Sequence, residues 1–495
     1  MANKKIMFVD WRNDFFLHVI DKVSIDSDNE VLHITEKSFF KKHKNINITF
    51  IDQLQFDRPE FIFNINTYNS LTISKSLVDS YLKCESIFLS LIDRYTYFSI
   101  SVQKRKRLYY ELLLYWENFF DKNKIELVCF PTAPHMGYDY VLYEVARKRG
   151  INTFVLERTL FNDRLIVKED IYDTTQVPID YLKDLTIREL KENLNEFFLK
   201  QAESVNNYWI DYSKKINASV VEKSKISKLF TLFNRIFQNN KNILTLFTPL
   251  RISAIRYDQC LPRIFIHLIS LYENKKTKVF RLLYESNVSK IDYESTNYIY
   301  LPLHFQPERS TEPLGDIFQQ QELIVKLLSA AIPTDWKIVI KEHPRQFDHT
   351  RINSVHYRDE SFYNNLLKDK KVIFSSLDTP SEYLTIHSKM VATITGSSGW
   401  DGIINGKEVL LFGCPWYIGC RNSYFITSVD DCKEAIMSSL KKNEENKKTD
   451  LLKYLIYMKN DFVISTNDDR FAINSEIKYD KLVSNLVFAI LNKLK

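Results

Sequence analysis

The hydrophobic positions in the first part of the chain form short apolar runs separated by longer amphipathic stretches. Residues 6–9, 31–34 and 46–51 are apolar runs of strand length. Residues 104–122 instead repeat Leu, Tyr and Trp at helical spacing. This alternation predicts an α/β organisation for the first part of the chain.

The clearest unit of this part is a strand, a helix and a second strand. Residues 127–130 are a buried-type apolar run, residues 138–149 have helical periodicity, and Gly150 is placed to end that helix. Residues 151–156 form the next apolar run, so the pattern predicts a right-handed βαβ crossover in a parallel sheet. Because ligands of such sheets bind at the carboxyl ends of the strands, we expect loops 131–137 and 157–164 to face an interdomain cleft.

The second half returns to the same alternation after a long helical stretch. Residues 179–287 are charged, glycine-free and helical in pattern, and they are expected to close one domain and bridge to the next. The predicted strands that follow are 298–303, 337–340 and 372–374, and the predicted helices are 316–331, 380–388 and 479–495. Residues 441–449 are expected to form a charged loop.

Glycine is concentrated in one segment of the chain. Six of the nine glycines lie between Gly396 and Gly419, where the backbone must allow a close approach. The pattern predicts a strand at 391–394, a turn, a helix beginning near Trp400, and a strand at 409–412. A helix that opens in Ser-Ser-Gly presents backbone N–H groups, two hydroxyls and the positive end of a dipole, which suits a phosphate.

A second polar cluster lies about fifty residues earlier, at the end of the strand 337–340. Pro344 fixes the exit of that strand and places the imidazole of His343 at its carboxyl end. Lys341 lies on the same face as His343, whereas Glu342 points to the opposite face and is expected to be structural. Together with the Ser-rich helix start, His343 and Lys341 predict a phosphate site.

Three blocks of sequence in this half resemble a known family, the capsule polysaccharide biosynthesis proteins. The blocks are Tyr-Leu-Pro-Leu-His-Phe-Gln-Pro-Glu at 300–308, Lys-Glu-His-Pro at 341–344, and Thr-Gly-Ser-Ser-Gly-Trp-Asp at 395–401 followed by Gly-Lys-Glu-Val-Leu-Leu-Phe-Gly at 406–413. The best-understood members are GT-B glycosyltransferases that transfer Kdo, a 3-deoxy-octulosonic acid, from its CMP-activated form. The resemblance spans about 298–417, and the first 290 residues match in outline.

The resemblance implies a GT-B fold, with two Rossmann-like domains whose parallel sheets face a central cleft across a helical linker. The expected division is an acceptor-side domain at 1–215, a linker region at 216–290, a nucleotide-sugar donor domain at 291–470, and a terminal helix at 471–495 that packs back towards the first domain.

The donor site that the resemblance implies lies in the second domain. Its expected residues are Gln306, Lys341, His343, Pro344, Gly396, Ser397, Ser398, Gly399 and Asp401. Asp401 stands where the family commonly has Glu, and it is expected either to cap the first turn of the helix or to reach the ribose hydroxyls. Trp400 is favoured as a core residue over a base-stacking platform.

The same resemblance points to Glu308 as the catalytic nucleophile of a retaining reaction. Demonstrated nucleophiles of the family are Asp, so hydrogen bonding to substrate and a structural role stay open for Glu308. On the first-domain loops, Asp139 and Asp163 are the candidate catalytic bases, and Glu157 and His135 are candidates for the same role and for acceptor binding. A single donor phosphate can be neutralised by the helix start, His343 and a lysine, so no metal is expected.

Composition narrows the class of protein. A length of 495 residues with 45% hydrophobic residues suits two or three domains with sizeable cores. The net charge of +6 is too small to indicate nucleic acid, and the six cysteines contain no C-x-x-C pair, which fits a reducing cytoplasm. Neither a signal peptide nor an eighteen-residue apolar run is recognised, so the protein is expected to be soluble or peripheral.

The sequence therefore predicts a cytoplasmic glycosyltransferase of bacterial surface polysaccharide synthesis. Its expected substrates are a CMP-activated ulosonic acid and an oligosaccharide or lipid-linked glycan, and a peripheral contact with anionic membrane lipid is expected through basic and aromatic surface at 104–107 or 244–272. Two alternatives stay open. One is a GT-B transferase that uses a nucleotide-diphosphate hexose, and the other is a non-catalytic glycan- or nucleotide-binding component of a capsule assembly complex.

Overall fold

Two six-stranded sheets organise the described part of the chain. The computed structural model describes residues 4–26, 29–43, 48–56, 74–94, 99–203, 263–308, 310–347 and 356–494. Of the predicted linker at 216–290, residues 216–262 lie outside this part, as does the first section of the predicted surface at 244–272.

The first sheet has the strand order β3-β2-β1-β4-β5-β6. All neighbouring strands pair in parallel, except that β6 is antiparallel to β5. The strands are β1 Lys5–Val9, β2 Glu30–Thr35, β3 Ile48–Asp52, β4 Leu127–Phe130, β5 Asn152–Arg158 and β6 Leu165–Lys168. The predicted βαβ unit is confirmed, and Gly150 ends its helix with a φ of +70°, a region that glycine adopts without strain.

The second sheet has the strand order β12-β11-β10-β7-β8-β9, and all its neighbours pair in parallel. Its strands are β7 Tyr298–Pro302, β8 Lys337–Lys341, β9 Val372–Phe374, β10 Met390–Thr393, β11 Glu408–Leu411 and β12 Ser423–Phe425. Counted from its own first strand, this order is 3-2-1-4-5-6, which is the Rossmann order and also the order of the first sheet. The predicted fold class, α/β with two Rossmann-like domains of the GT-B type, is confirmed.

Helices cover both sheets. In the first domain they are α1 Asp14–Asp26, α2 Lys37–Phe40, α3 Lys75–Asp79, α4 Leu82–Asp93, α5 Val102–Lys122 and α6 Tyr138–Lys148, followed by α7 Ile187–Glu192 and α8 Glu196–Glu203. The helices around and after the second sheet are α9 Arg263–Ser286, α10 Gln321–Ala331, α11 Glu360–Leu367, α12 Ser381–His387, α13 Ser397–Ile404, α14 Val429–Lys441, α15 Glu444–Asp461, α16 Asp469–Asn474 and α17 Tyr479–Asn492.

The charged loop predicted at 441–449 is wrong. Helix α15 begins at Glu444, and the side chain of Asn443 caps it by accepting the N–H of Asn446. The charged residues occupy the first turns of this helix, while Leu451, Leu452 and Leu455 further along are buried. Charge density therefore marked a solvated helix face rather than a loop.

A shared core joins the two domains. Phe161 and Ile166 of the first domain pack in one buried cluster with Trp400 and Trp416 of the second. Trp400 is only 2% exposed, so the structure places it in the core, as favoured from sequence. The terminal helix α17 packs against α1 of the first domain. Within the described residues, no helix combines the length and apolar character needed to cross a membrane.

Candidate active site

The loops that follow three neighbouring strands carry the predicted donor residues. Strand β7 lies between β10 and β8 in the second sheet, with β10 pairing at Val391↔Tyr300 and β8 at Leu301↔Ile340. The boundary between β7 and β10 is the point where the strand order reverses, and ligands of open α/β sheets bind beside it. Glu308, His343 and the Gly/Ser helix start are thereby brought to one edge of the sheet.

A histidine links the Gly/Ser loop, residues 396–399 at the start of α13, to Glu308. The N–H of Gly396 donates to Thr393 Oγ1 (3.2 Å), and that hydroxyl lies 3.0 Å from His304 Nε2. Because the N–H of Ile394 also donates to His304 Nε2 (3.2 Å), this nitrogen is an acceptor, and the proton of the neutral ring is on Nδ1. His304 Nδ1 lies 3.6 Å from Glu308 Oε2. No role was predicted for His304 from the sequence, although it stands in the block 300–308.

This contact affects the ionisation of Glu308. Burial acts to raise the pKa of Glu308, but the electrostatic attraction of His304, with a further contribution from His343, outweighs it and lowers the pKa below its ordinary value. The side chain is 42% exposed, so it is also open to a ligand. An ionised, accessible carboxylate beside the Gly/Ser loop is suited to attack an electrophile.

His343 is held as a hydrogen-bond donor. Its Nδ1 accepts the N–H of Arg345 (3.1 Å), so the proton of the neutral ring is on Nε2. Burial lowers the pKa of His343, against the opposing charges of Glu308 and Glu342. The neutral ring therefore offers one N–H. Pro344, also predicted for the donor site, begins a short 3-10 turn after it.

Glu342 has the structural role expected from strand alternation. It is fully buried and accepts from Arg358 Nε (2.8 Å), the hydroxyl of Tyr363 (2.9 Å) and the N–H of His343 (2.8 Å). Arg358 also donates to the carbonyl of His304 (3.0 Å), so one buried ion pair supports both histidines of the site.

Gln306 lies inside the loop after β7. Its side chain is 2% exposed and donates to Thr311 Oγ1 (2.7 Å), while its backbone N–H and carbonyl both bond to the amide of Gln346 (2.8 and 3.1 Å). These contacts shape the loop that carries Glu308. Donor binding by Gln306 stays a prediction.

Lys341 and Asp401 lie beside the first residues of α12 instead of the loop after β7. Lys341 Nζ donates to the carbonyl of Thr379 (2.5 Å) and lies 3.4 Å from Ser381 Oγ, and burial lowers its pKa. Burial and then the charge of Glu382 raise the pKa of Asp401 to about 7. The interpretation of Asp401 as a first-turn cap is wrong, because α13 begins at Ser397 and its first turn contains no acidic residue.

The start of α13 has no side-chain hydrogen-bond cap. Its N-cap is Gly396, which has no side chain to occupy the first N–H groups, and Ser397 is exposed. Tyr417 donates its hydroxyl to the carbonyl of Gly396, and a Cβ at Gly399 would collide with that phenol. Gly399 thus allows the loop to pack closely on Tyr417, and Gly396 allows it to pack closely on Thr393, while Ser397 and Ser398 stay at the surface of the site.

The candidate first-domain residues hold loops in place. Both oxygens of Asp139 accept backbone N–H groups, from His135 (3.0 Å) and Met136 (2.6 Å), and His135 Nδ1 lies 2.9 Å from the carbonyl of Ala133. Asp163 accepts from the hydroxyl of Ser475 (2.7 Å).

Glu157 pairs with Lys168 (2.6 Å), which also donates to the carbonyl of Cys414 in the second domain (3.1 Å), and burial raises the pKa of Glu157. A base or acceptor-binding role stays a prediction for each of Asp139, Asp163, His135 and Glu157.

Two other features lie outside this arrangement. Among the described residues, no group of three or more His, Cys, Asp or Glu side chains is placed to hold a metal ion. A groove of about 670 Å³ runs along the edge strand β12, lined by Arg421, Tyr424 and Lys442 among others, and contains none of the predicted site residues.

The match to a known protein family lies in the second domain. Residues 293–420 match the family model described as capsule polysaccharide biosynthesis protein, which confirms the resemblance over the segment from β7 to the end of the Gly-rich region. No curated protein sequence matches the chain.

Several solved structures are similar to this chain at low identity. The KpsC beta Kdo 2,7 transferase of Thermosulfurimonas dismutans is 13% identical, with 68% of this chain and 80% of that chain covered and a TM-score of 0.27. The UDP-GlcNAc 2-epimerase of Methanocaldococcus jannaschii is 14% identical over 90% and 98% of the two chains, with a TM-score of 0.23. A glycosyltransferase of Rickettsia africae is 10% identical over 100% of both, with a TM-score of 0.26. At these values the likenesses do not identify a substrate.

Proposed function

We propose that the protein is a glycosyltransferase of capsule polysaccharide synthesis that transfers a CMP-activated ulosonic acid of the Kdo type to a glycan acceptor, with retention of configuration. The observation that carries the proposal is the chain of contacts from Gly396 through Thr393 and His304 to Glu308. It sets an ionised carboxylate against a helix start that suits a phosphate.

In the first proposed step, a carboxylate oxygen of Glu308 attacks the anomeric carbon of the donor. The bond from that carbon to the phosphate oxygen breaks, and CMP leaves with the electron pair. The N–H groups at the start of α13, the hydroxyls of Ser397 and Ser398, and Nε2–H of His343 would stabilise the phosphate charge.

In the second step, an acceptor hydroxyl attacks the same carbon from the opposite side. Its proton passes to a first-domain base, for which Asp139 and Asp163 remain the candidates, and the ester bond to Glu308 breaks. Two inversions at one carbon restore the original configuration.

The proposed donor class rests on the phosphate charge that the site can neutralise. A CMP donor carries a single phosphate, which one helix start and one neutral histidine can stabilise. The leaving group of a nucleotide-diphosphate hexose carries two phosphates and more charge. We therefore propose a donor with a single phosphate, whose transfer requires no metal.

The acceptor is proposed to be an oligosaccharide or lipid-linked glycan, with the protein at the cytoplasmic face of the membrane. Helix α9 supports a peripheral contact, because it exposes Phe265, Leu268 and Tyr272 together with two basic residues, Lys275 and Lys278. An apolar stripe flanked by cations suits an anionic lipid surface. Of the run at 104–107, Lys106 pairs with Glu85, which leaves less of that run for lipid.

Flotation with vesicles containing anionic lipid tests this contact. We expect binding at low salt that weakens at high salt and in the variant Lys275→Glu/Lys278→Glu. Neutral vesicles provide the control, and absence of binding at either salt concentration would argue for a soluble acceptor.

Binding of CMP to wild type and His343→Ala tests the donor site. Loss of a hydrogen bond to a charged group should weaken CMP binding by about 1.5–3 kcal/mol, measured by calorimetry. His387→Ala, which alters a histidine near Glu294, is the matched control. Unchanged affinity in a folded His343→Ala variant would remove the assignment.

A thermal-shift comparison of CMP with UDP separates the donor classes. Stronger stabilisation by CMP is expected. Stronger stabilisation by UDP would favour a nucleotide-diphosphate hexose, and no response to either nucleotide would favour a non-catalytic component.

A further inference from the structure

Helix α4 of the first domain ends against the loop that carries Glu308. Ser90 Oγ donates to Glu312 Oε1 (2.5 Å), and Lys83 at the other end of the helix pairs with Asp316 (2.7 Å). Ser90 and Arg94 are four residues apart and therefore lie on one face of the chain as α4 ends. This face is one of the first domain's contacts with the segment that follows β7.

Arg94 joins two loops that belong to different domains. It follows the last residue of α4 and is fully buried. Its Nη1 donates to the carbonyl of Glu308 (3.2 Å), and its Nη2 donates to the carbonyl of His135 (2.8 Å). One guanidinium thus spans the backbone of the candidate nucleophile and the backbone of the acceptor-side loop.

Burying the guanidinium of Arg94 costs free energy. A fully buried cation is expensive to desolvate, and the penalty is recovered only through good geometry and nearby negative groups. Glu312 supplies such a group: it is 2% exposed, burial raises its pKa, and the charge of Arg94 opposes that shift. A planar guanidinium has donors at fixed angles, so it can hold two carbonyls at a set separation, whereas a lysine ammonium cannot.

We propose that Arg94 is a positioning residue that sets the place of Glu308 relative to the acceptor-side loop at His135. The part that concerns Glu308 as nucleophile rests on the proposed function, whereas the coupling of the two loops rests on the contacts alone. The guanidinium holds the carbonyls of Glu308 and His135 at the same time. Without it, both loops lose the same anchor.

Hydrogen–deuterium exchange of the full chain tests the coupling without any substrate. In Arg94→Met we expect the amides at 303–312 and 133–137 to exchange about tenfold faster or more, the effect of losing one buried hydrogen bond from each loop. Arg94→Lys should give an intermediate increase. The segment 397–404 should be unchanged.

Arg421→Ala is the matched control, because Arg421 also joins the domains, through Asp180 (2.7 Å), but at another place. It should leave both loops unchanged. Faster exchange in neither loop, or in one loop alone, would overturn the coupling. If Arg94→Met does not fold, Arg94→Lys decides the same question, with Ser90→Ala expected to loosen 308–312 while leaving 133–137 unchanged.

Turnover of CMP-Kdo with a glycan acceptor then tests the positioning role. We expect Arg94→Lys to lower kcat about tenfold with the Kd for CMP unchanged. Loosened loops with unchanged kcat would overturn the role of Arg94 in positioning Glu308. Failure of the wild type to bind CMP would instead reject the proposed function, and the exchange result would still decide whether Arg94 couples the loops.

Discussion

His304 Nδ1 lies 3.6 Å from Glu308 Oε2, while the opposite nitrogen of the same ring is fixed by Thr393 and the N–H of Ile394. The ring cannot turn away from Glu308 without losing the bonds to β10 and its loop. The orientation of His304 is therefore set by the strand that carries the Gly/Ser loop, and its effect on Glu308 is built into the packing of β7 against β10.

Replacing His304 should change the pH dependence of turnover. His304 is the main group that lowers the pKa of Glu308, and burial acts to raise it, so His304→Gln should raise that pKa. Because the nucleophile must be ionised, turnover of CMP-Kdo should start to fall at a higher pH in the variant as the pH is lowered. The control is His387→Gln, and an acidic limb at the wild-type position in His304→Gln would contradict the prediction.

Glu308→Gln should lose nearly all turnover while CMP still binds. The amide keeps the shape of the side chain but cannot attack the anomeric carbon. Intact-protein mass spectrometry of wild type with donor and no acceptor should show an added ulosonate that the variant lacks. Substantial activity in Glu308→Gln, or a product of inverted configuration, would leave Glu308 as a binding residue and a direct displacement assisted by a first-domain base as the mechanism.

Gly399→Ala should destabilise the protein by about 1–3 kcal/mol, the usual cost of overpacking. The new methyl group would collide with the hydroxyl end of Tyr417. Tyr417→Phe removes that hydroxyl and should recover part of the loss in the double variant. Urea unfolding of the single and double variants gives the coupling, and strictly additive effects would show that the collision is not the cause.

Asp401→Asn should stabilise the protein at alkaline pH. The pKa of Asp401 is raised from 3.8 to about 7, so its contribution to stability is present at low pH, declines above 3.8, and is lost once the pH passes 7. The advantage of the neutral asparagine should therefore grow between pH 4 and 7 and reach the order of 1–3 kcal/mol at pH 8. Urea unfolding measures it, with the exposed Asp335→Asn as control. Equal advantages at pH 4 and pH 8 would refute the shift.

Most of the strands were predictable because their apolar runs are short and bounded by turn residues, whereas β6 and β12 were not predicted. Runs 127–130 and 372–374 form strands with these same bounds. The position of the candidate site at the carboxyl ends of β7, β8 and β10 also followed from the motifs. These features depend on local pattern and on the general behaviour of parallel sheets.

Other features depend on partners distant in sequence, which a local pattern does not reveal. Strand alternation predicted that Lys341 lies with His343, but the ammonium group of Lys341 donates a hydrogen bond to the carbonyl of Thr379. The bonds from Arg94 to His135 and Glu308 join segments 41 and 214 residues away. The start of α13 was placed too late, because the apolar pattern begins at the buried Trp400, whereas the helix itself begins at Ser397.

Because α17 packs on α1, a helix that is translated early is covered by a helix that is translated late. Leu482, Leu486 and Ile490 share a buried cluster with Phe15 and Val19, so the layer that covers one face of the first sheet is completed by residues translated several hundred positions after α1. At about 5–20 residues per second, several hundred residues take tens of seconds to emerge. During that interval the apolar face of α1 lacks its cover, and we expect the nascent first domain to bind chaperones until α17 has been made.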